Sequence, residues 1–325
     1  MKVLVTGAGG FIGRALVPVL RAAGHDVVAT SRDAATVIPG VTVKAGFELG
    51  PDTDWAPALG GARAVIHLAA RVHVMDDRAA DPLAENRRIN RDGTAKLARD
   101  AAAAGVGRLV FLSTVKVMGE QTPAAAFSET DTPRPGDPYA IAKHEAEQAL
   151  RQIADETGME IVIIRPPLVY GPGVGGNFAA LLALCANGWP LPLGSVNNRR
   201  SLIYVGNLVD ALCAVLQNPA AAGKTYLACD GDGISTAALI GEISAALDRA
   251  GAPGRRPVLW PLPPALLRLL AALAGKSALA ARLLGDLRLD DSALRRDLGW
   301  TPPFSMVQGL KETAAAFAAT EKDRK

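Results

Sequence analysis

An α/β fold, doubly wound around a parallel sheet and followed by a smaller C-terminal α/β lobe, is predicted by three observations. Short β-rich runs alternate with longer helical patterns through the first half of the chain, and that alternation implies parallel strands covered by helices on both faces. The first run, residues 3–6, has no alternation of apolar and polar positions, as expected of a strand buried on both sides. A glycine-rich stretch, Gly7-Ala8-Gly9-Gly10-Phe11-Ile12-Gly13, then stands at the turn from that strand into a helix.

Taken in order, residues 11–23 carry helical periodicity and residues 26–30 read as a second strand. Residues 63–68 form another strand, followed by one helix over about 82–104. Residues 109–113 and 160–165 repeat the strand pattern, with a helix over 139–157 between them. After Arg165 the pattern loosens through Pro166, Pro167, Gly171, Pro172, Gly173, Gly175 and Gly176. Helical stretches at 178–187, 207–217 and 236–250 then mix with short strands. The expected division is a dinucleotide-binding domain over 1–168, to which a segment near 200–230 returns. Residues 169–325 are mainly a substrate lobe closing over the carboxyl ends of the strands. The polar tail after Thr320 is expected to fray.

Composition narrows the function classes. A chain of 325 residues, 49% hydrophobic, can bury a sizeable core. The net charge of +3 comes from scattered Lys and Arg, and only 5% of residues are aromatic. No basic run is interleaved with aromatics, so nucleic-acid binding is not expected. Cys185, Cys213 and Cys229 lie far apart, which fits buried thiols in a reducing cytoplasm rather than disulfides. The four histidines have no metal-ligand spacing, and glycines interrupt the N-terminal apolar run too early for a signal peptide. The longest apolar stretch, 257–284, is broken by prolines and by Arg268, Lys276 and Arg282, so no membrane span is expected. Leu266, Leu269, Leu270 and Leu273 recur at helical spacing and predict an amphipathic helix packed on the body.

The glycine stretch has a specific chemistry. Gly7 permits a tight turn, Gly10 lets the backbone approach a pyrophosphate, and Gly13 allows close helix–strand packing. Phe11 and Ile12 open the helix whose free N–H groups favour phosphate. An acidic residue at the second strand's tip would bind the ribose hydroxyls of NAD(H). This strand instead ends Thr30-Ser31-Arg32. A hydroxyl and a guanidinium suit a 2′-phosphate, which favours NADP(H). The competing reading is that Arg32 is a solvated charge and either cofactor binds.

Tyr139 and Lys143 are four apart on a predicted helix, with Asp137 placed to cap it and Pro138 at its first position. Residues at that spacing share a face. An ammonium beside a phenol favours phenolate and lowers its pKa from about 10. Tyr139 would then be a general acid or base for alcohol–ketone interconversion. Ser113 and Thr114 lie at the end of a predicted strand, where either hydroxyl could bind the reacting oxygen. The alternative for Tyr139 and Lys143 is an ordinary amphipathic face.

In this order the motifs resemble the extended short-chain dehydrogenase/reductase family, which includes the NAD-dependent epimerases and dehydratases. The likeness runs from the glycine motif to about Trp300. It includes His67-Leu68-Ala69-Ala70, Asn90-Arg91-Asp92-Gly93-Thr94, Ser113-Thr114-Val115-Lys116-Val117-Met118-Gly119 and Arg165-Pro166-Pro167-Leu168-Val169-Tyr170-Gly171-Pro172. It is greatest to UDP-glucose 4-epimerase-like and UDP-sugar 4-ketoreductase proteins.

The resemblance implies a Rossmann fold with Leu68, Ala69, Ala70, Asn90 and Pro166 at the cofactor. It makes Thr114, five before Gly119, the catalytic hydroxyl, and has Lys143 hold the nicotinamide ribose. It implies a nucleotide-sugar substrate, UDP-linked, with hydride transfer at sugar C4. In a 4-reductase of UDP-4-keto-6-deoxy-N-acetylhexosamines NADPH delivers hydride once; in a 4-epimerase a retained NAD takes it and returns it. Asn177 resembles the family's nucleotide-contacting asparagine. Arg200 resembles its diphosphate-binding arginine, with a surface ion pair as the plainer reading. The family's later Arg-x-Gly-Asp segment is not clear, and Arg282 or Asp286 is no more than a candidate to take its place.

Two departures narrow the reaction. Val115-Lys116 replaces the Asp-Glu pair of the dehydratases, so elimination of water is not expected. Met118 replaces a tyrosine and is expected to reshape the sugar pocket, while Lys116 either reaches a substrate oxygen or faces solvent. The resemblance also implies a homodimer through two long helices, with alanine-rich faces at 95–104 and 140–149 allowing close packing. A non-catalytic dinucleotide-binding sensor is the rival from another class; such proteins usually lose the Tyr or the Lys, and this chain keeps both.

Overall fold

The computed structural model describes residues 1–33, 35–72, 79–122, 125–252 and 257–323. The strands are β1 (Lys2–Thr6), β2 (Asp26–Ser31), β3 (Thr42–Ala45), β4 (Ala64–His67), β5 (Arg108–Leu112), β6 (Glu160–Arg165), β7 (Leu168–Tyr170), β8 (Leu202–Tyr204) and β9 (Thr225–Leu227). Seven of them form one parallel sheet in the order β3-β2-β1-β4-β5-β6-β9. The chain winds outward one way from β1 through β2 to β3, then the other way from β4 to β6. That is the doubly wound arrangement, with its switch point between β1 and β4, where such sheets open a crevice beyond the strand ends.

Alternate residues of each inner strand feed two separate cores. Val3 and Val5 point to the face covered by Leu16 and Leu20 of the helix Phe11–Ala22 and by Leu208 and Leu212 of the helix Val205–Gln217. Leu4 points to the opposite face, covered by Leu97 and Ala101 of the helix Gly93–Ala103 and by Leu150 and Ile153 of the helix Pro138–Thr157. Of the alanines in the stretches 95–104 and 140–149, Ala95, Ala98, Ala101, Ala140, Ala142 and Ala146 are buried within the chain, whereas Ala103 and Ala104 are exposed.

The single helix expected over 82–104 is interrupted. An α-helical turn, Pro82–Asn86, passes into a wide π-helical stretch, Arg87–Asp92, before α-helix resumes at Gly93. Two long-range contacts bracket the wide turn. Asn90 reaches sideways to the backbone of Arg71, accepting from its N–H at 2.8 Å and donating to its carbonyl at 3.0 Å. Gly93 lies so near residues 49–50 that a Cβ there would stand 2.8 Å from the Gly50 nitrogen.

Beyond β6 part of the chain returns to the main sheet and its core, and the rest packs as a smaller lobe. β7 and β8 pair in parallel. Their Tyr170 and Tyr204 pack with Phe178, Leu239 and Ile243 from the helices Gly176–Asn187 and Thr236–Arg249. The stretch 257–284 holds two helices, Pro264–Leu273 and Ser277–Leu284, not one. The first does not bury its leucines as expected: Leu269 and Leu273 are 56% and 78% exposed. The C-terminal helix continues to Asp323, past the point where fraying was expected. The three cysteines are free. Among the described residues no cluster could hold a metal ion, and no helix is long and apolar enough to cross a membrane.

Candidate active site

The crevice begins at the glycine turn. Gly7 has φ +68°, and a Cβ there would lie 2.7 Å from the Ala69 nitrogen, so the turn after β1 presses directly against Leu68 and Ala69 after β4. A Cβ on Gly13 would lie 2.5 Å from the Gly7 carbonyl oxygen. The helix Phe11–Ala22 starts at Gly10 with no side chain capping it and no acidic residue in its first turn. Beside this helix start lies a cleft of about 500 Å³ lined by Gly9, Phe11 and Arg14 on one side and Pro172, Gly173 and Tyr204 on the other. A backbone cradle without side chains at a helix start fits the pyrophosphate of a dinucleotide.

At the tip of β2, Ser31 is buried and its hydroxyl meets Thr36 Oγ1 at 2.7 Å, whereas Arg32 is exposed. Gly9 abuts both hydroxyls, a Cβ there standing 3.2 Å from each. Ala70 is half-buried beside Ala69. Asn90 is 1% exposed and holds the chain leaving β4 through Arg71. Under this floor Thr6 Oγ1 meets His67 Nδ1 at 2.6 Å, and His67 Nε2 meets Thr94 Oγ1 at 2.9 Å. Burial, and then the charge of Lys143, pushes His67 down to about 3, so the ring is neutral near pH 7.

Asp137 caps the helix Pro138–Thr157, accepting from the Ala140 N–H at 2.7 Å, and Pro138 fills the first position. Tyr139 and Lys143 share a face, but the two interact differently from expectation. The Lys143 ammonium donates to the Leu112 carbonyl at 2.6 Å and lies 3.9 Å over the Phe111 ring. Burial pushes it down to about 7, partly countered by Glu147. Tyr139 is half-buried. Its phenol is pushed up, not down, by burial and by the nearby Asp137 carboxylate. The ammonium is drawn to the end of β5, so it does not offset desolvation of the phenol as the four-residue spacing suggests.

The two hydroxyls after β5 separate cleanly. Ser113 is buried and donates to Glu147 Oε1 at 2.5 Å. Thr114 is only partly covered and caps the short turn Val115–Val117, accepting from the Lys116 N–H at 3.3 Å. Pro166 is buried beside it, its carbonyl accepting from the Val115 N–H at 2.9 Å.

Beneath Ser113 lies an ion pair the motif reading passed over. Arg165 donates to both oxygens of Glu147, at 3.0 and 2.5 Å, with the two side chains 2% and 0% exposed. Arg165 Nη1 also lies 2.9 Å from Met118 Sδ. Met118, 1% exposed, therefore packs inward and does not face a sugar pocket as expected from its place before Gly119. Glu147 was detectable: it stands one turn after Lys143, on the buried stripe with Ala146 and Leu150.

At the rim, Lys116 neither points freely to solvent nor into the crevice. Its ammonium donates to Asp137 Oδ2 at 2.5 Å and stands 3.9 Å from Glu120. Arg282 reaches the same Glu120 at 3.5 Å. Arg200 is half-buried, donates to the Gly285 carbonyl at 3.0 Å and feels Glu120, Asp286 and Arg282. Arg200 and Arg282 thus gather at one edge, whereas Asn177, at the start of the helix Gly176–Asn187, is exposed.

The model of the NAD-dependent epimerase/dehydratase family matches residues 3–229. A UDP-glucose 4-epimerase of Vibrio cholerae is 40% identical, covering 97% of this chain and 95% of its own. The chain is also similar to two solved structures, each 25% identical. One is the Thermus thermophilus UDP-glucose 4-epimerase in complex with NAD, with a TM-score of 0.74 over 98% of this chain and 99% of that one. The other is RMD of Pseudomonas aeruginosa complexed with NADPH, with a TM-score of 0.72 over the same shares. A cradle that fits a dinucleotide and relatives solved with one lead to one conclusion: the chain belongs to the NAD-dependent epimerase/dehydratase family, within the extended short-chain dehydrogenases/reductases, and is an enzyme that works with NAD(H) or NADP(H).

Proposed function

We propose that this enzyme reduces the C4 ketone of a UDP-linked 4-keto-6-deoxy-N-acetylhexosamine. The observation that carries the reading is the pairing at the end of β5: Thr114 is the hydroxyl left open, and Tyr139 stands on the helix anchored there by Lys143. NADPH held at the Gly7–Gly13 turn would supply the hydride for the ketone carbon. Tyr139 gives its phenolic proton to the C4 oxygen, completing the alcohol, while Thr114 donates a hydrogen bond to that oxygen. Lys143 lies below, where its remaining hydrogens suit ribose hydroxyls. Lys116 has a positioning role: by pairing with Asp137 it offsets the carboxylate that otherwise holds the phenol's proton too tightly. Val115 and Lys116 stand directly after Thr114, so no carboxylate pair is there to eliminate water. Arg200 and Arg282 suit the substrate diphosphate, with Asn177 toward the nucleotide end. The Ser31-Arg32 tip supports NADPH, a reductant exchanged at every turnover.

The 40% identity with the Vibrio cholerae protein favours a second reading, a 4-epimerase that keeps its NAD. The decisive experiment measures released cofactor from purified protein, then turnover of UDP-sugars and their 4-keto forms with each cofactor. The reductase reading expects NADPH oxidation with the 4-keto-6-deoxy substrate and no tightly held cofactor. Retained NAD with interconversion of UDP-glucose or UDP-N-acetylglucosamine at C4 supports the epimerase. Cofactor binding without turnover of any of them returns the chain to a sensor.

A further inference from the structure

The smaller lobe turns several large apolar side chains outward. Its loop after Asn187 pairs with the strand-like segment at 258–260. Leu191 N–H donates to the Val258 carbonyl at 2.9 Å, and Trp260 N–H to the Leu191 carbonyl at 2.8 Å. Side chains alternate along such a segment. Leu259 turns toward the lobe's core, while Val258 and Trp260 stand outward at 61% and 62% exposure, with Trp189 at 68%. The prolines after Trp260 lead straight into the helix Pro264–Leu273, none of whose residues is buried. Leu267 and Ala271 rest on the lobe, and the outer side carries Leu266, Leu269, Leu270 and Leu273. Exposed apolar side chains gathered in one lobe suit a docking surface.

Charge identifies the occupant. Basic and acidic residues nearly balance over the chain, at 35 and 32. Between Asp248 and Asp286, however, the sequence has no acidic residue and six basic ones, of which Arg282 turns to Glu120 at the crevice rim while Arg268 and Lys276 belong to this side of the lobe. A second copy would set two cationic faces against each other. A leucine-faced helix that carries Arg268 and is followed by Lys276, with exposed tryptophans in the same lobe, is suited to lie in the boundary between anionic headgroups and acyl chains. We propose that this face docks the enzyme reversibly on an anionic phospholipid surface.

The full chain should be floated with vesicles of phosphatidylglycerol mixed with phosphatidylcholine, and with phosphatidylcholine alone. Trp55 and Trp300 are buried, at 1% and 5%, so a blue shift in tryptophan emission reports on Trp189 and Trp260. We expect association and a blue shift with the anionic vesicles, and binding weaker by about tenfold or more with the neutral ones. The double variant L269E/L273E should bind the anionic vesicles about a hundredfold less tightly while keeping the wild-type melting temperature. R268E/K276E should lose about tenfold and keep the blue shift at saturation. The proposal is overturned if wild type does not float with anionic vesicles at low salt, or if L269E/L273E floats equally well. A wild-type dimer that this variant splits, without vesicle binding, would instead make the face an interface between copies.

Discussion

Beneath the crevice, Ser113, Glu147 and Arg165 meet at 2.5–3.0 Å with both ionic partners essentially sealed from water. At its rim, Lys116 and Arg282 approach Glu120 at 3.9 and 3.5 Å from side chains about one-third exposed. The same residue types therefore serve two purposes. In the floor, a lost partner strands a buried charge, so the geometry under Thr114 and Tyr139 is rigid. At the rim, water replaces a lost partner cheaply, so substrate phosphates can compete for Arg200 and Arg282. On the proposed function, rigid support lies under Thr114 and Tyr139, and exchangeable charge lies at the substrate end of the crevice.

Four substitutions sharpen or break this contrast. Glu147→Ala should cost about 3–5 kcal/mol of stability, read as a fall in the urea midpoint. A loss under about 1 kcal/mol would mean that the floor is no firmer than the rim. Tyr139→Phe should lower kcat by about a thousandfold while leaving cofactor affinity and melting temperature nearly unchanged; retained turnover removes Tyr139 from the proton transfer. Arg200→Ala should raise KM for the nucleotide sugar about tenfold with little change in kcat. A fall in kcat alone would place Arg200 with the reacting groups. As the rim counterpart of the first substitution, Glu120→Ala should shift stability by less than about 1 kcal/mol.

Much of this was legible in the residues, and the rest was hidden for identifiable reasons. The strand, glycine turn and helix at the N-terminus, and the Tyr139–Lys143 spacing, are local patterns. β3 and β9 were missed because each is only three or four residues, and β3 is largely exposed. Spacing placed Lys143 beside Tyr139 but could not reveal that the Leu112 carbonyl draws the ammonium away, nor that burial dominates the phenol. Met118 was assigned to a pocket from its neighbour Gly119, yet the guanidinium of Arg165, distant in sequence, lies against it. The leucines of Pro264–Leu273 have the period of a packed helix. Periodicity marks an apolar side without saying whether the protein covers it.

The wide turn at Arg87–Asp92 also governs what this chain tolerates in length. Before its end Asn90 clasps the backbone of Arg71, and just past it Thr94 meets the His67 ring. A π-turn carries an additional residue relative to an ordinary helical turn, so the two contacts are phased by that residue. Tightening the turn to ordinary helical geometry with every residue kept would swing everything downstream by about 100°. Thr94 and Asn90 could then no longer reach their partners together. The irregularity works as a spacer whose residue count, more than its residue identities, keeps the floor aligned.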